Sequence, residues 1–245
     1  MAENWPNNAP PQHPAAPPRG ENPVRRAFGA AGFVLDAFRR RRAGRITLWS
    51  LVIALTLSGS GLVAYPFLTS VYADRVQGNL EESFEELKNA SPDQAGFKAT
   101  LAEGSALTRI KIPRLQVNAI VVSGVSADAL RAGAGHLPGS ALPGDPTGNV
   151  VIAGHRTGFK GFFRYLNRLR TGDRIELSTP FGVYTYSVMP PFDGHRNPWV
   201  TQPTDLSVTH PTPEGSVTLV TCDPPGSSKN RLILRAKLVR SEPRA

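Results

Sequence analysis

The chain contains only one cysteine, Cys222, among its 245 residues. A single cysteine excludes an intramolecular disulfide and any zinc site built on several cysteines. The five histidines include no pair at the spacing of metal ligands, and no tight acidic cluster of the kind that binds calcium is present in the sequence. We therefore expect neither a metal nor another cofactor.

Charge is missing from one long segment, because residues 46–73 include no Asp, Glu, Lys, Arg or His over 28 positions. The hydrocarbon core of a bilayer is about 30 Å thick, which roughly 20 helical residues cross. Five arginines lie between residues 39 and 45, and acidic residues predominate after residue 73. The positive-inside rule then predicts a single-pass protein of the cell membrane, with a cytoplasmic N-terminus and an extracellular C-terminal domain.

A cleaved signal peptide is the alternative interpretation of this segment. Such a peptide has a short charged region, a shorter apolar region and a cleavage site of small residues. Here 45 residues precede the apolar segment, and no A-x-A site follows it. We therefore interpret residues 46–73 as an uncleaved transmembrane signal anchor.

The excess of positive charge is concentrated before the anchor. The chain has a net charge of +9, of which residues 1–45 contribute +5 through eight arginines and three acidic residues. Residues 1–24 hold seven prolines and no apolar periodicity, which predicts a disordered Pro-rich cytoplasmic tail followed by the Arg-rich stretch. Because membrane topology accounts for the arginines, we expect no nucleic acid among the partners.

Residues 74–104 are predicted to form an extracellular stalk and a linker. Apolar residues recur at the spacing of one helix face within residues 76–90, namely Val76, Leu80, Phe84 and Leu87. This pattern predicts a short amphipathic helix that serves as a stalk or packs on the following domain. Pro92 ends the helix, and the stretch up to Gly104 has the composition of a linker.

Residues 105–241 are predicted to form one globular domain that is mainly β. Short runs rich in β-branched residues alternate with turn residues, and we predict strands at 108–112, 117–122, 149–154, 173–178, 183–188, 217–222 and 231–239. Two short helices are predicted, at Ala127–Ala132 and Phe159–Leu169. So many strands at this spacing indicate a barrel or a sandwich.

Cys222 ends one of these strands and is followed by Asp223, Pro224 and Pro225. Proline cannot extend a strand ladder, so the thiol lies at the end of the strand, at a barrel rim. A lone cysteine is often an inert buried residue. An unpaired thiol outside the cell is open to oxidation, however, which favours a reactive function. A free cysteine has a pKa of about 8.5, so a catalytic thiolate needs a base or a positive neighbour.

Two residues meet that requirement. Arg231 begins the next strand after an eight-residue loop, and pairing of the two strands as a hairpin would bring it close to the thiol. His155 follows a strand and opens a turn between Gly154 and Gly158, which leaves its imidazole unobstructed. His136, by contrast, lies in a loop rich in Gly and Pro, where we expect a structural or substrate-lining role.

These residues resemble the sortase family, the membrane-anchored cysteine transpeptidases of Gram-positive bacteria. Residues 218–222, Thr-Leu-Val-Thr-Cys, match the TLxTC signature of the family. Residues 149–156 resemble the strand that leads to its catalytic His, and residues 230–234 resemble the strand that begins with its catalytic Arg. Residues 136–144 resemble a loop common upstream of that His in actinobacterial and class D-like members, and the architecture is most like class E.

The resemblance implies an eight-stranded β-barrel with Cys222, His155 and Arg231 as catalytic residues at one rim. Cys222 would attack the Thr–Gly carbonyl of an LAxTG- or LPxTG-like sorting signal on a secreted protein and form a thioacyl enzyme. His155 would protonate the departing amine, and Arg231 would hold the carbonyl or the oxyanion. A peptidoglycan or lipid-linked precursor amine would then accept the acyl group.

The resemblance also implies that Thr221, His136 and Leu137 bind substrate. Class E members often carry a Tyr where Leu137 stands, and that residue bears on the second position of the sorting signal, so the subclass and the choice between LAxTG and LPxTG stay open. Two other functions stay open as well. A hydrolytic relative would give the acyl group to water with the same three residues, and a non-enzymatic surface-anchored β-domain would bind peptide or glycan with an inert Cys222.

Overall fold

The computed structural model describes residues 42–90, 97 and 101–244. The predicted Pro-rich tail and most of the predicted linker after residue 90 lie outside the described residues. The chain divides into two units, Met1–Gly61 and Leu62–Ala245. The described part of the first unit is helical throughout, and the second unit contains the β-domain.

The long helix α1 runs over Arg42–Ala90 and contains the whole predicted anchor. In the first unit its large apolar side chains are exposed, as at Ile46, which is 68% exposed. In the second unit Leu62 and Phe67 are exposed in the same way. Among the described residues, one helix is thus long and apolar enough to cross a membrane. The predicted amphipathic helix at residues 76–90 is the C-terminal part of α1 rather than a separate element.

Nine strands follow in the second unit: β1 Ala106–Ile112, β2 Val117–Ser123, β3 Ala134–His136, β4 Asn149–Ala153, β5 Arg174–Thr179, β6 Gly182–Val188, β7 Trp199–Thr201, β8 Ser216–Asp223 and β9 Asn230–Pro243. Seven of them coincide with predicted strands, with ends that differ by a few residues. The sequence predicts neither β3 nor β7, because each has three residues, too few for a period-two pattern.

The sheet closes into a barrel of eight strands. The order around the ring is β6-β5-β1-β2-β3-β4-β8-β9, and β9 pairs back onto β6. The predicted eight-stranded barrel is therefore confirmed, and β7 is an additional short strand that pairs with β9 alone. Since β4 and β8 run parallel, their C-terminal ends meet at the same edge of the barrel.

Alternate strand residues fill the barrel with an apolar core. Ile110, Ile152, Leu177, Leu219 and Leu234 are all fully buried in it. Full burial of a side chain of this size contributes about 1.5–3 kcal/mol. The core therefore gives a rigid base for the strand ends at the barrel edge.

The C-terminal turns of α1 pack on the barrel. Phe84 is 1% exposed and lies in a small apolar cluster with Ala106 and Ile120. The side-chain amide of Gln77 accepts a hydrogen bond from the N–H of Ile120 at 2.8 Å and donates one to its carbonyl at 3.1 Å. Gln77 thus takes the place of a neighbouring strand just before β3 begins to pair with β2. This part of α1 belongs to the folded domain and is not a free stalk.

The structure confirms one of the two predicted short helices and contradicts the other. The helix at Ala127–Ala132 is confirmed as α2. The helix predicted at Phe159–Leu169 is wrong, since two 3-10 turns, Phe159–Gly161 and Leu166–Arg168, stand in its place. Residues 158–161 all have positive φ angles, which an α-helix of L-residues does not accommodate.

Candidate active site

Cys222 and Arg231 face each other across β8 and β9. The antiparallel register makes them directly opposed partners. Opposed residues of an antiparallel pair project their side chains from the same face of the sheet, with Cβ atoms about 4.5–5.5 Å apart. Cys222 is a free thiol and is half-buried. The hairpin expected from the eight-residue loop is therefore present, and it places the thiol beside the guanidinium-bearing residue.

The thiol lies on the outer face of the barrel wall. Val217 and Leu219 of β8 are fully buried in the core. Because side chains alternate along a strand, Thr221 lies on the same side as these two residues and Cys222 on the opposite side. Cys222 is thus not sealed in the apolar core, as an inert structural cysteine would be.

His155 leaves β4 at this same edge. Each β4 residue pairs with the β8 residue 67 positions later in the chain. Two hydrogen bonds extend the contact past the end of β4: the N–H of Gly154 donates to the carbonyl of Val220 at 3.0 Å, and the hydroxyl of Thr221 donates to the carbonyl of Gly154 at 2.8 Å. His155 and Cys222 continue this spacing, so they emerge from the edge side by side.

The imidazole of His155 packs against one aromatic ring, that of Phe159. It is half-buried and stacks on Phe159, with ring centroids 5.4 Å apart and planes inclined by 29°. Burial lowers the pKa of His155 below 6.5, and the positive charge of Arg131 lowers it further. A Cβ at Gly154 would lie 2.8 Å from the ring of Phe163, so packing requires a glycine before His155.

The guanidinium of Arg231 is held by the loop between β8 and β9. Its Nη1 donates hydrogen bonds to the carbonyls of Ser228 at 3.0 Å and Asn230 at 3.1 Å. Ser228 belongs to the short connection that joins the thiol strand to the arginine strand, and Asn230 is the first residue of β9. The loop therefore restricts the guanidinium to the edge that also presents the thiol and the imidazole.

A charge pair that the sequence analysis does not predict joins the His and Cys segments. Arg156 is 6% exposed, forms an ion pair with Asp223 and donates a hydrogen bond to the carbonyl of Cys222 at 3.2 Å. Arg156 directly follows His155, and Asp223 directly follows Cys222. These adjacencies are the one signal in the sequence that points to the pair, which ties the two backbone segments together.

The three predicted substrate-binding residues have different surroundings. Thr221 and His136 are buried, at 2% and 4% exposure. The Nε2 atom of His136 forms hydrogen bonds with the loop that follows β3. It lies 2.9 Å from the carbonyl of Ala141 and 2.9 Å from the hydroxyl of Ser140. Leu137 is half-buried. Of the three, Leu137 alone presents appreciable surface to solvent.

The chemical groups at the edge are a thiol, an imidazole and a guanidinium. They are suited to act as a nucleophile, a proton donor or acceptor, and a fixed hydrogen-bond donor. Within the described ranges, 42–90, 97 and 101–244, no group of three or more His, Cys, Asp and Glu residues is placed to hold a metal ion.

A closed eight-stranded barrel with the imidazole and the thiol at the C-terminal ends of β4 and β8, and the guanidinium at the start of β9, defines a sortase-type domain. Residues 110–239 match the family model of the sortase domain. The chain belongs to the sortase family, as its signature residues predict.

Sortases of class E are among the similar proteins. Sortase SrtE1 of Streptomyces coelicolor is 28% identical over 228 residues, which cover 84% of this chain and 62% of SrtE1. This chain thus spans less than two thirds of the length of that relative. The solved structure of sortase E1 from S. coelicolor, with a tripeptide in its active site, is 31% identical, with a TM-score of 0.51 over 58% of this chain and 92% of that chain. The predicted resemblance to class E is confirmed.

A sortase of another class has a similar fold. The Clostridium perfringens sortase D5 transpeptidase is 28% identical, with a TM-score of 0.57 over 68% of this chain and 99% of that chain. The barrel is therefore shared between classes.

Proposed function

We propose that this protein is a membrane-anchored cysteine transpeptidase that joins proteins carrying a C-terminal sorting signal to a cell-wall amine. The observation that carries the proposal is the position of Cys222, directly opposite Arg231 and at the edge where His155 leaves β4. Two relatives support the reaction class, since one is named a transpeptidase and the other holds a tripeptide in its active site.

In the first half of the reaction the sulfur of Cys222 attacks the carbonyl carbon between Thr and Gly of the sorting signal. The thiol proton passes to His155, and the C–N bond breaks as the imidazolium gives that proton to the departing glycine amine. The Thr acyl group remains on Cys222 as a thioester. Because burial lowers the pKa of His155, its imidazolium is a stronger acid than an exposed one and transfers the proton readily.

In the second half a peptidoglycan or lipid-linked precursor amine attacks the thioester. The new C–N bond forms, the C–S bond breaks, and His155 takes the proton from the attacking amine. That proton returns to the sulfur of Cys222, which restores the free enzyme. The reaction is balanced without a cofactor, since each proton released in one half is used in the same half.

Arg231 stabilises the oxyanion that forms in both halves. Its guanidinium projects from the same face as the thiol, and the carbonyls of Ser228 and Asn230 already restrict its position. A planar group with several N–H donors suits a carbonyl oxygen that gains charge. Loss of one such donor costs about 2.7–4 kcal/mol of transition-state stabilisation in other acyl-transfer enzymes.

We assign different roles to the three predicted substrate-binding residues according to how exposed each one is. Leu137 contacts the second residue of an LAxTG- or LPxTG-like signal, because it alone of the three has accessible side-chain surface. Thr221 and His136 act on the substrate indirectly. The hydroxyl of Thr221 binds the carbonyl of Gly154 just after β4, and the imidazole of His136 binds the loop between β3 and β4.

The membrane arrangement is part of the same proposal. Residues 46–73 contain the membrane span, residues 1–45 lie in the cytoplasm, residues 74–104 connect to the domain, and residues 105–241 act outside the cell. The exposed apolar surface of α1 and the five arginines between residues 39 and 45 support this arrangement.

Mass spectrometry of the full-length protein in detergent micelles, incubated with LAxTG and LPxTG peptides, tests the proposal. We expect an adduct with the mass of the peptide fragment that ends at Thr, and none in Cys222→Ala. Because the chain has one cysteine, a thiol-borne adduct has one location. A peptide with the Thr–Gly order reversed is the control.

The proposal is wrong if the wild type forms no adduct with either signal or if Cys222→Ala forms the same adduct. Addition of a glycine-based amine separates transfer from hydrolysis. A ligated product supports the transpeptidase, whereas free acid at saturating amine supports the hydrolytic alternative.

A further inference from the structure

Two residues of α1 contact the loop that carries His155. Tyr72 lies edge-to-face against Phe159, with ring centroids 6.4 Å apart and planes inclined by 76°. Asp74 forms an ion pair with Lys160. Phe159 in turn stacks on the imidazole of His155. A continuous chain of ring contacts therefore runs from the helix to the imidazole.

The loop has a backbone conformation that its own residues disfavour. Four consecutive residues, 158–161, have positive φ angles, and two of them are not glycine: Phe159 at 40° and Lys160 at 65°. Such a residue costs about 1–3 kcal/mol and persists where surrounding contacts hold it. The two strained residues are the same two that α1 contacts. The helix thus contacts the loop at the two residues whose backbone is strained.

The contact lies where α1 passes from apolar to charged residues. Leu68 and Val71 are exposed, at 66% and 64%. Asp74 is the first charged residue after the long uncharged segment. Ala73, between the two contact residues, is fully buried. The helix therefore docks on the domain at the level where its apolar surface ends.

We propose that Tyr72 and Asp74 are positioning residues of the active site, which hold residues 158–161 and thereby fix the ring of Phe159 against His155. The inference rests on the proposed function, because it assigns a role within that reaction. In consequence the end of the anchor helix is part of the support of the active site and not merely a tether.

The test compares the full-length protein with its Tyr72→Ala and Tyr72→Phe variants in lipid nanodiscs, with steady-state turnover of a sorting peptide as the readout. In Tyr72→Ala we expect kcat to fall roughly ten- to a hundredfold, since a displacement of about 1 Å has effects of this size. We expect KM to stay within about twofold, because Tyr72 does not touch the substrate edge. Tyr72→Phe keeps the ring and should restore kcat.

Two further variants separate positioning from stability. Tyr65 lies about two helical turns before Tyr72 on α1, and its ring is 60% exposed. Tyr65→Ala should therefore leave kcat and the melting temperature unchanged. Lys160→Asp should lower kcat, and the double variant Asp74→Lys with Lys160→Asp should recover it by restoring an ion pair of reversed sign. Recovery of kcat in this double variant supports the positioning role even if Tyr72→Ala is poorly folded, and absence of recovery counts against it.

The inference is overturned if Tyr72→Ala keeps the kcat of the wild type, or if neither Tyr72→Phe nor the charge-swapped double variant recovers activity. In either case the acyl adduct on wild-type Cys222 leaves the proposed function intact. Absence of the adduct in the wild type would instead overturn the proposed function.

Discussion

Arg156 and Asp223 each directly follow a residue of the proposed catalytic trio. A buried guanidinium loses its hydration, and its ion pair with the carboxylate compensates for that loss. The same guanidinium holds the carbonyl of Cys222. At the scale of single residues, the pair keeps the Cys and His segments at a set separation.

We predict that Asp223→Ala lowers the free energy of unfolding by about 3 kcal/mol, because it leaves Arg156 with an uncompensated buried charge. Denaturant unfolding measures this loss. The matched control is Glu176→Ala, which removes an ion pair to Lys111 with side chains 36% and 46% exposed. An exposed pair contributes less than about 1 kcal/mol. Equal losses in the two variants would contradict the structural role of the buried pair.

The loop between β3 and β4 is anchored on β6 at Gly144. Its N–H donates to the hydroxyl of Tyr186 at 3.2 Å, and the ring of Tyr184 lies directly against the glycine. Burial raises the pKa of Tyr186 to about 12, so the hydroxyl stays protonated at physiological pH. At the scale of elements, this contact fixes the loop that begins with Leu137.

We predict that Gly144→Ala destabilises the protein by about 3 kcal/mol, since it adds left-handed strain and a clash. The glycine has a φ of 94°, and a Cβ there would lie 2.2 Å from the ring of Tyr184. Gly139→Ala is the control, because Gly139 has a φ of 83° but open space around it. It should cost about 1 kcal/mol through strain alone. Unfolding free energies that match between the two would refute the packing argument.

The stability of the whole molecule depends on histidines that fold in the neutral form. Burial lowers the pKa of His136 and of His155 below 6.5, although the hydrogen bond of His136 to Ala141 partly opposes this. The unfolded chain therefore binds more protons than the native protein between the lowered pKa and 6.5. The contribution of each histidine is fully present above pH 6.5 and is lost as the pH falls through the folded-state pKa.

We predict that the melting temperature falls as the pH is lowered from 7 to about 5, and that His136→Gln reduces the slope of this fall. Differential scanning calorimetry across this range measures both effects. His210→Gln, at an exposed histidine, is the matched control. An unaltered slope in His136→Gln would show that this histidine does not titrate on unfolding.

Features whose signals are local could be predicted from the amino-acid sequence. Seven strands follow from short β-branched runs, α2 from a helical run, and the membrane-spanning potential of α1 from its uncharged segment. The sortase family follows from the pentapeptide that ends at Cys222, and the juxtaposition of Cys222 with Arg231 from the short loop between them. In each case the residues that interact are neighbours in the chain, so their order predicts their arrangement.

Features that depend on residues far apart in the chain became visible in the folded protein. β3 and β7 are too short to carry a pattern and exist because neighbouring strands pair with them. Residues 158–161 avoid the predicted helix, and their contacts with α1 come from more than 80 positions away. Arg156 forms its ion pair with Asp223, which lies 67 positions later in the chain. A local pattern contains no information about which remote groups the closed barrel brings together, because register and packing set those contacts.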